Sequence, residues 1–114
     1  KGDKKYSQLG NAFACLVGLG NQQIKEKIKN DKELVPATLS MLGFIYDALL
    51  DGNKENEQYI LNDINKNYTY MLSKGATSFW ETQDYVGETF GWAHSLCHGW
   101  SAMPIYYYNK LLKK

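Results

Sequence analysis

Arginine is missing from this sequence, in which all thirteen basic residues are lysines set against twelve acidic residues. Bidentate arginine contacts to guanine or phosphate therefore cannot form, and a formal net charge of +1 gives no strong attraction for a polyanion. Long apolar runs are missing too, and none approaches the length that a bilayer demands. From these absences we expect neither a nucleic acid nor a membrane as partner.

Cysteine is scarce, and Cys15 and Cys97 can form at most one bridge, so no disulfide framework is indicated. No signal-peptide pattern opens the chain. The sequence begins at Lys1 rather than at Met, so we expect that an upstream portion precedes it. The compartment is left open, since the bacterial cytoplasm and secretion both fit.

Aromatic residues are abundant instead, at 14% of the 114 residues, with nine Tyr and three Trp. Hydrophobic residues make up 44% and charged residues 22%, which is typical of a globular chain rather than a disordered one. Large rings are costly to leave in water, so they fill a core or line a groove. The length fits one small domain or a piece of a larger one.

Helical periodicity dominates the chain, with apolar residues recurring three and four positions apart. It predicts helices near residues 9–17, 39–49 and 55–74, a short amphipathic helix around Ile24 and Ile28, and a final helix over 95–112. Pro36 is placed in a first helical turn, Gly75 as a left-handed terminator, and Pro104 as a kink or break. The final helix is expected to turn these residues inward: Cys97, Trp100, Ile105, Tyr108 and Leu112.

Strand signals are scarce, and residues 76–94 show no clean period, so we interpret them as a long loop. Helix, short connection and helix repeat along the rest of the chain, which predicts an all-α fold of antiparallel helical hairpins. Two or three such hairpins cannot close a barrel. They would leave an apolar flank that needs a partner.

Two stretches that border this loop combine a polar reactive group with tryptophan. The first is GATSFWE, residues 75–81, and the second is SLCHGW, residues 95–100. Pyranose rings lay their C–H faces on aromatic rings, while their hydroxyls bond to acidic groups. Tryptophan next to a carboxylate or a histidine is therefore typical of a sugar site.

GATSFWE resembles the GATTxWE signature of the α-L-rhamnosidase family of six-hairpin glycosidases. SLCHGWSAMPIYY, residues 95–107, is similar to the segment that follows the signature in one branch of that family. Two further segments agree in order and spacing, SQLGNAFACLVGLG at 7–20 and VPATLSMLGFIYDALLDGN at 35–53. The resemblance covers about residues 7–108. It implies that residues 1–114 are the C-terminal segment of an (α/α)6-barrel catalytic domain, whose missing part or another copy of the chain would cover the apolar flank.

The resemblance also implies a chemistry, the hydrolysis of a terminal rhamnoside with inversion. An inverting glycosidase needs a protonated acid beside the leaving oxygen and a carboxylate that activates water on the opposite face. The family's water-activating Glu closes the signature, which makes Glu81 the implied general base. His98 is implied to bind the sugar. Taken singly, Trp80 and Trp100 would be assigned to the core, but beside Glu81 and His98 they are expected to form walls of the sugar pocket. The general acid is expected upstream of Lys1, and no metal or cofactor is implied.

The chain departs from the family at two places. Cys97-His98-Gly99 stands where many rhamnosidases have Asn-His-Tyr, and Ser78 stands where Thr is common. These differences leave the identity of the sugar open, because relatives on this barrel act on other glycosides. Ser78 and Glu81 also have the spacing of a helix capping box, which would make Glu81 structural.

Two further interpretations do not involve hydrolysis. His94, Cys97 and His98 would share one face of a helix and could bind a transition metal, although only Cys15 offers a fourth ligand. Without a metal, Cys97 is expected to be a small buried hydrophobe. The main alternative function is a non-catalytic helical-repeat module that docks a protein or a sugar through its aromatic flank.

Overall fold

The computed structural model describes residues 6–83 and 95–113, in which all the regular secondary structure is helical. Five α-helices are present there: α1 (Gln8–Leu16), α2 (Gln22–Asn30), α3 (Leu42–Leu49), α4 (Lys54–Ser73) and α5 (Pro104–Leu112). Two 3-10 helices, Leu39–Met41 and Gly99–Ala102, precede α3 and α5. The predicted all-α class is confirmed. A parallel bridge between Ser7 and Val35 adds an isolated strand-like contact.

Serine and asparagine side chains determine where three of the helices begin. Their oxygens accept backbone N–H groups of the first turn: Ser7 from Gly10 at 3.0 Å, Asn21 from Ile24 at 3.0 Å, and Asn53 from Glu55 at 2.8 Å. Each of these N–H groups has no partner inside its own helix, so the cap stabilises the helix start. The caps at Asn21 and Asn53 therefore lie in the gaps between the predicted helices, where α2 and α4 begin.

The end of α4 follows the sequence prediction closely. Gly75 has a φ of 77°, the left-handed conformation that glycine adopts without a steric penalty. Its N–H donates to the Leu72 carbonyl at 3.0 Å, and the Ala76 N–H donates to the Met71 carbonyl at 3.1 Å. These two bonds form a Schellman motif, which satisfies carbonyls left open at the end of the helix.

Pro36 does not begin a helix, and that prediction was wrong. Val35 before it exchanges backbone hydrogen bonds with the N-terminal segment, accepting from Gln8 and donating to Tyr6, both at 2.9 Å. Since a residue preceding proline is also restricted to extended conformations, the segment stays extended as far as the 3-10 helix at Leu39–Met41. The long helix expected over 39–49 is accordingly shorter and starts at Leu42.

Pro104 begins α5 rather than kinking a longer helix, and residues 95–98 are not helical. At the first helical position the missing N–H of proline costs nothing. The predicted inward register was wrong as a result: Trp100, Ile105 and Leu112 are exposed by 69%, 73% and 62%. The residues that turn inward are Ser101, Pro104, Tyr107 and Leu111.

The core is built where α2, α3 and α4 pack against one another. Ile28, Leu49 and Ile60, one from each helix, have no exposed surface. α1 packs on α2 and α3, while α5 packs on α4. The molecule measures 49 × 38 × 20 Å, and its shortest dimension equals about two helix diameters. The helices therefore form a slab of two layers at most.

The outward side of α1 remains open in this slab. Of its residues only Ala12 is buried, whereas Phe13, Leu16 and Val17 are exposed by 43%, 43% and 69%. Phe13 meets Phe44 of α3 with ring centroids 5.1 Å apart, so the apolar surface continues onto the next helix. We call Phe13, Leu16, Val17 and Phe44 the open α1 face.

Candidate functional site

The two motif stretches lie side by side, joined by main-chain hydrogen bonds. The Glu81 N–H donates to the Ser95 carbonyl at 2.8 Å, and the His98 N–H donates to the Phe79 carbonyl at 2.7 Å. The Glu81 carboxylate adds a third bond, because its Oε2 accepts the Ser95 N–H at 2.8 Å. We call this arrangement of Phe79, Glu81, Ser95 and His98 the motif ladder. It brings together residues that are up to 19 positions apart in sequence.

Glu81 takes no part in a capping box, and that interpretation was wrong. Residues 76–83 contain no helix, so there is no helix start for Ser78 to cap. The Ser78 hydroxyl instead donates to the Leu96 carbonyl on the other side of the motif ladder. Ser95, whose N–H holds the carboxylate, was missed by sequence analysis because the long loop conceals which residues pair across it.

Trp80 lies on the opposite side of its segment from Glu81. In an extended chain, successive side chains point to opposite faces. Trp80 accordingly joins the core at 2% exposure and meets the edge of Tyr70, while Glu81 remains partly exposed. In this position the Trp80 ring anchors the backbone beneath Glu81, and its exposed surface is too small to stack on a sugar.

His98 contacts Trp100, which borders a second feature. Their rings meet edge to face with centroids 6.0 Å apart, and Trp100 is 69% exposed. Beside Trp100 lies an open hollow of about 320 Å³, lined by Ser40, Gly43, Phe44, Asp47, Trp100 and Met103. We call it the Trp100 hollow. Neither Glu81 nor His98 is among its lining residues. The structure therefore links Glu81 to His98 through the backbone but directs Trp100 towards α3.

Asp47 supplies the carboxylate of the Trp100 hollow. Its Oδ1 accepts the Tyr107 hydroxyl at 2.9 Å, and the same hydroxyl lies 2.8 Å from the Gly43 carbonyl. Burial, with this hydrogen bond to Asp47, raises the pKa of Tyr107 well above its usual range, so the phenol remains a donor. Asp47 and Phe44 gave no motif signal in the sequence; only the packing of α3 beside Trp100 gives them a role.

The proposed metal ligands are only partly within the described residues. His94 lies outside them. Cys97 is exposed, so its prediction as a buried hydrophobe was wrong, and its N–H donates to the Ser95 hydroxyl at 3.1 Å. Cys15 is also a free thiol, and its partial burial raises its pKa. Across residues 6–83 and 95–113, no group of three or more His, Cys, Asp or Glu side chains is placed to hold a metal ion.

Comparisons with known proteins add nothing to this description, since no family model, curated protein or solved structure matches the chain. Among the helices of the described residues, none combines the length and the apolar character needed to cross a bilayer. The class that the fold defines is an all-helical protein, with a carboxylate and a histidine brought together by a short backbone ladder.

Proposed function

We propose that this chain is part of a glycoside hydrolase of the α-L-rhamnosidase type, with Glu81 as its general base. The observation that carries the proposal is the motif ladder, in which the two stretches that resemble the family's signature segments are hydrogen-bonded together. The structural alternative for Glu81 was a capping box, which requires a helix that begins after Ser78. Residues 79–83 are not helical. The Glu81 carboxylate makes a main-chain bond to Ser95 instead, through one of its two oxygens.

The ladder fixes Glu81 in a way that suits proton abstraction from water. Its Oε2 accepts the charge-assisted bond from the Ser95 N–H, which orients the carboxylate. Within the described residues, Oε1 has no hydrogen-bond partner and can accept a proton from a water molecule. Inversion also requires a protonated carboxylic acid about 6.5–9.5 Å away, on the other side of that water. We place that acid in the part of the barrel upstream of Lys1.

His98 and Trp100 complete the proposed sugar contacts. An imidazole N–H can donate to a hydroxyl, and the exposed Trp100 face can receive the C–H side of a pyranose. Trp80 supports the position of Glu81 from the core. The favoured substrate class is a terminal rhamnoside or a related glycoside, and no metal or cofactor takes part.

Glu81→Gln in the full-length protein that carries these residues is the direct test. Gln preserves the shape and still accepts the Ser95 N–H, but it cannot take a proton from water. We expect kcat on an aryl rhamnoside to fall about 10²- to 10⁴-fold, with substrate binding still measurable. Glu33→Gln, at an exposed carboxylate, is the matched control and should leave kcat unchanged.

A Glu81→Gln enzyme with near-normal kcat would reject the role of general base. The 114-residue chain alone should release no phenol from the same substrate, because a single carboxylate leaves the departing oxygen unprotonated. Robust release by the isolated chain would show that the general acid lies within these residues and not upstream.

A second candidate function is favoured by a different observation, the exposure of apolar rings. Phe13, Phe44 and Trp100 are exposed by 43%, 41% and 69%, and they follow one another along one side of the molecule. Such a surface suits a non-catalytic module that docks a protein or a sugar. Trp100→Ala would then abolish binding, while Glu81→Gln would have no effect on function. In the glycosidase proposal this surface is covered by the preceding hairpins of the barrel or by another copy of the chain.

A further inference from the structure

A separate hollow of about 230 Å³ lies between α4, the segment before α3, and residue 83. One side of α4 borders it with four residues: Tyr59, Asp63, Lys66 and Asn67. Their spacing of three and four residues places them together on the helix surface. Leu42 and Ile45 of α3 lie beneath it, and both are buried, at 4% and 1% exposure. We call this feature the α4 hollow.

Several polar groups around the α4 hollow can make further hydrogen bonds, although the Gln8 amide already donates to the Ile28 carbonyl and accepts from the Ala37 N–H. Across residues 6–83 and 95–113, the side chains of Lys66 and Asn67 make no hydrogen bond or ion pair, and the Tyr59 hydroxyl makes no hydrogen bond. Asp63 accepts one bond, from the Tyr46 hydroxyl at 2.7 Å. A carboxylate can accept about four, so most of its capacity remains.

The surroundings of Asp63 make its carboxylate a stronger acceptor than one in open water. Tyr46 is fully buried, and Tyr59 and Asp63 are partly buried. Burial, followed by the charge of Asp63, raises the pKa of Tyr59 to about 12, so this phenol is neutral and keeps its proton for donation. A ligand hydroxyl placed here would meet the partly buried Asp63 carboxylate together with the Tyr59 phenol as a donor.

The types of group indicate the chemistry of the ligand. The Tyr59 phenol and the side-chain amides of Asn67 and Gln83 each combine donor and acceptor capacity, and Gln83 already directs its Nε2 to the Ala37 carbonyl at 3.4 Å. Vicinal hydroxyls need such partners, because each hydroxyl donates and accepts at the same time. Lys66 adds donors only and Asp63 acceptors only, so the site is balanced in charge and suits a neutral ligand.

The volume of the α4 hollow limits the size of the ligand. Sites for drug-sized molecules span about 300–1,000 Å³. At about 230 Å³, the α4 hollow has room for one ring rather than for a chain of several. The α4 side chains would meet the hydroxyls of that ring.

We propose that the α4 hollow is a saccharide-binding site that takes one neutral polyhydroxylated ring beside Asp63, Lys66 and Asn67. The site is distinct from the motif ladder. Its ligand class follows from its own side chains, so it does not depend on Glu81 being catalytic.

The test is a titration of the isotopically labelled 114-residue chain with methyl α-L-rhamnoside and, separately, methyl α-D-glucoside, followed by NMR. We expect the backbone amide signals of residues 63–67 and of Gln83 to shift with saturation. Lys66→Ala would remove the charge-assisted hydrogen bonds that Lys66 donates to the ligand. Because Lys66 is exposed, the substitution leaves the core unchanged. It should raise Kd by at least about tenfold. Lys54→Ala, an exposed lysine on the same helix, should leave Kd unchanged.

Saturable shifts confined to the α4 hollow, and weakened by Lys66→Ala but not by Lys54→Ala, support the proposal. The proposal is overturned if neither glycoside shifts these signals at its highest soluble concentration, or if the shifts map to the Trp100 hollow. Tighter binding of a zwitterion such as alanine than of either glycoside would also overturn it, because the Asp63 and Lys66 charges would then define the ligand. Binding that persists in Glu81→Gln separates this site from the proposed general base.

Discussion

The interior among α2, α3 and α4 and the open α1 face both carry apolar side chains, but their environments are opposite. Leu49 is completely buried, whereas Leu16 on α1 is 43% exposed. A polar cluster stands over the buried region, in which Lys29, Asn56 and Asp51 bond to one another and to their neighbours. Nothing similar covers α1 within the described residues. An amphipathic pattern therefore shows which face of a helix is apolar, but not whether that face is covered.

The largest expected difference between the two regions comes from the same substitution made in each. Leu49→Ala leaves a cavity in the interior and should lower the free energy of unfolding by about 2–5 kcal/mol. Leu16→Ala removes a side chain that is already half in water and should cost less than about 1 kcal/mol. Urea unfolding of the two variants measures both values.

Equal decreases in the free energy of unfolding of the two variants would contradict this difference between the regions. They would mean that the α1 face is covered in solution, by a second copy of the chain or another partner. Dependence of the Leu16→Ala effect on protein concentration would then identify self-association.

An intermediate effect is expected at the polar cluster over the interior. The Lys29 side chain is only 3% exposed, and its Nζ donates to Asn56 Oδ1 at 2.8 Å. Lys29→Met would leave the buried Asn56 oxygen without this donor and should lower the free energy of unfolding by about 1–3 kcal/mol. Lys27→Met, at an exposed position of the same helix, is the control and should change it by less than about 0.5 kcal/mol.

The positive charge of Lys29 leads to a further prediction, about stability at alkaline pH. Burial by itself would lower the pKa of Lys29, but the nearby carboxylates of Glu26 and Glu55 outweigh it and raise the pKa above 10.5. A group whose pKa is raised on folding stabilises the protein at pH values below its unfolded pKa. This stabilisation is lost as the pH rises through its folded pKa. The difference between wild type and Lys29→Met should therefore shrink above pH 10.5, and a constant difference would contradict this account.

The smallest effect is expected at Asp51, on the rim of the cluster. Desolvation favours a higher pKa, but hydrogen bonds from Lys25, the Asn53 N–H and Asn56 together lower it from 3.8 to about 2. A carboxylate whose pKa falls on folding stabilises the protein above its unfolded pKa, and this contribution is lost as the pH drops towards the folded value.

Asp51→Asn should therefore flatten the loss of stability between pH 3.8 and about 2, as measured by urea unfolding across that range. Glu33→Gln, at an exposed carboxylate, should retain the wild-type pH dependence. If Asp51→Asn also retained it, another carboxylate would be responsible for the acid sensitivity.

The sequence predicted α4 to within one residue at each end. Local signals suffice there: Asn53 caps the start, Gly75 terminates the end, and the apolar period is unbroken between them. The prolines were harder to interpret. The effect of Pro36 depends on Val35 bonding to the distant N-terminal segment, a contact that no local pattern encodes.

The candidate site was predicted only in part. Glu81 and His98 were identified from the motifs, and the ladder places them on adjoining segments. Ser95, Asp47 and Asp63 were missed because their roles arise from packing between segments. Their residue types are common on surfaces, and their spacing along the chain carries no information about what lies opposite them.

By itself, the sequence determined the helical class, the caps and the turns, because these depend on hydrogen bonds and backbone preferences within a few residues. It also determined which side of each long helix is apolar. The tertiary structure decided which of those sides are buried, which carboxylates meet a backbone N–H, and where the hollows form. Those outcomes depend on contacts between distant segments, and the free energy of such contacts depends on burial that only the folded chain provides.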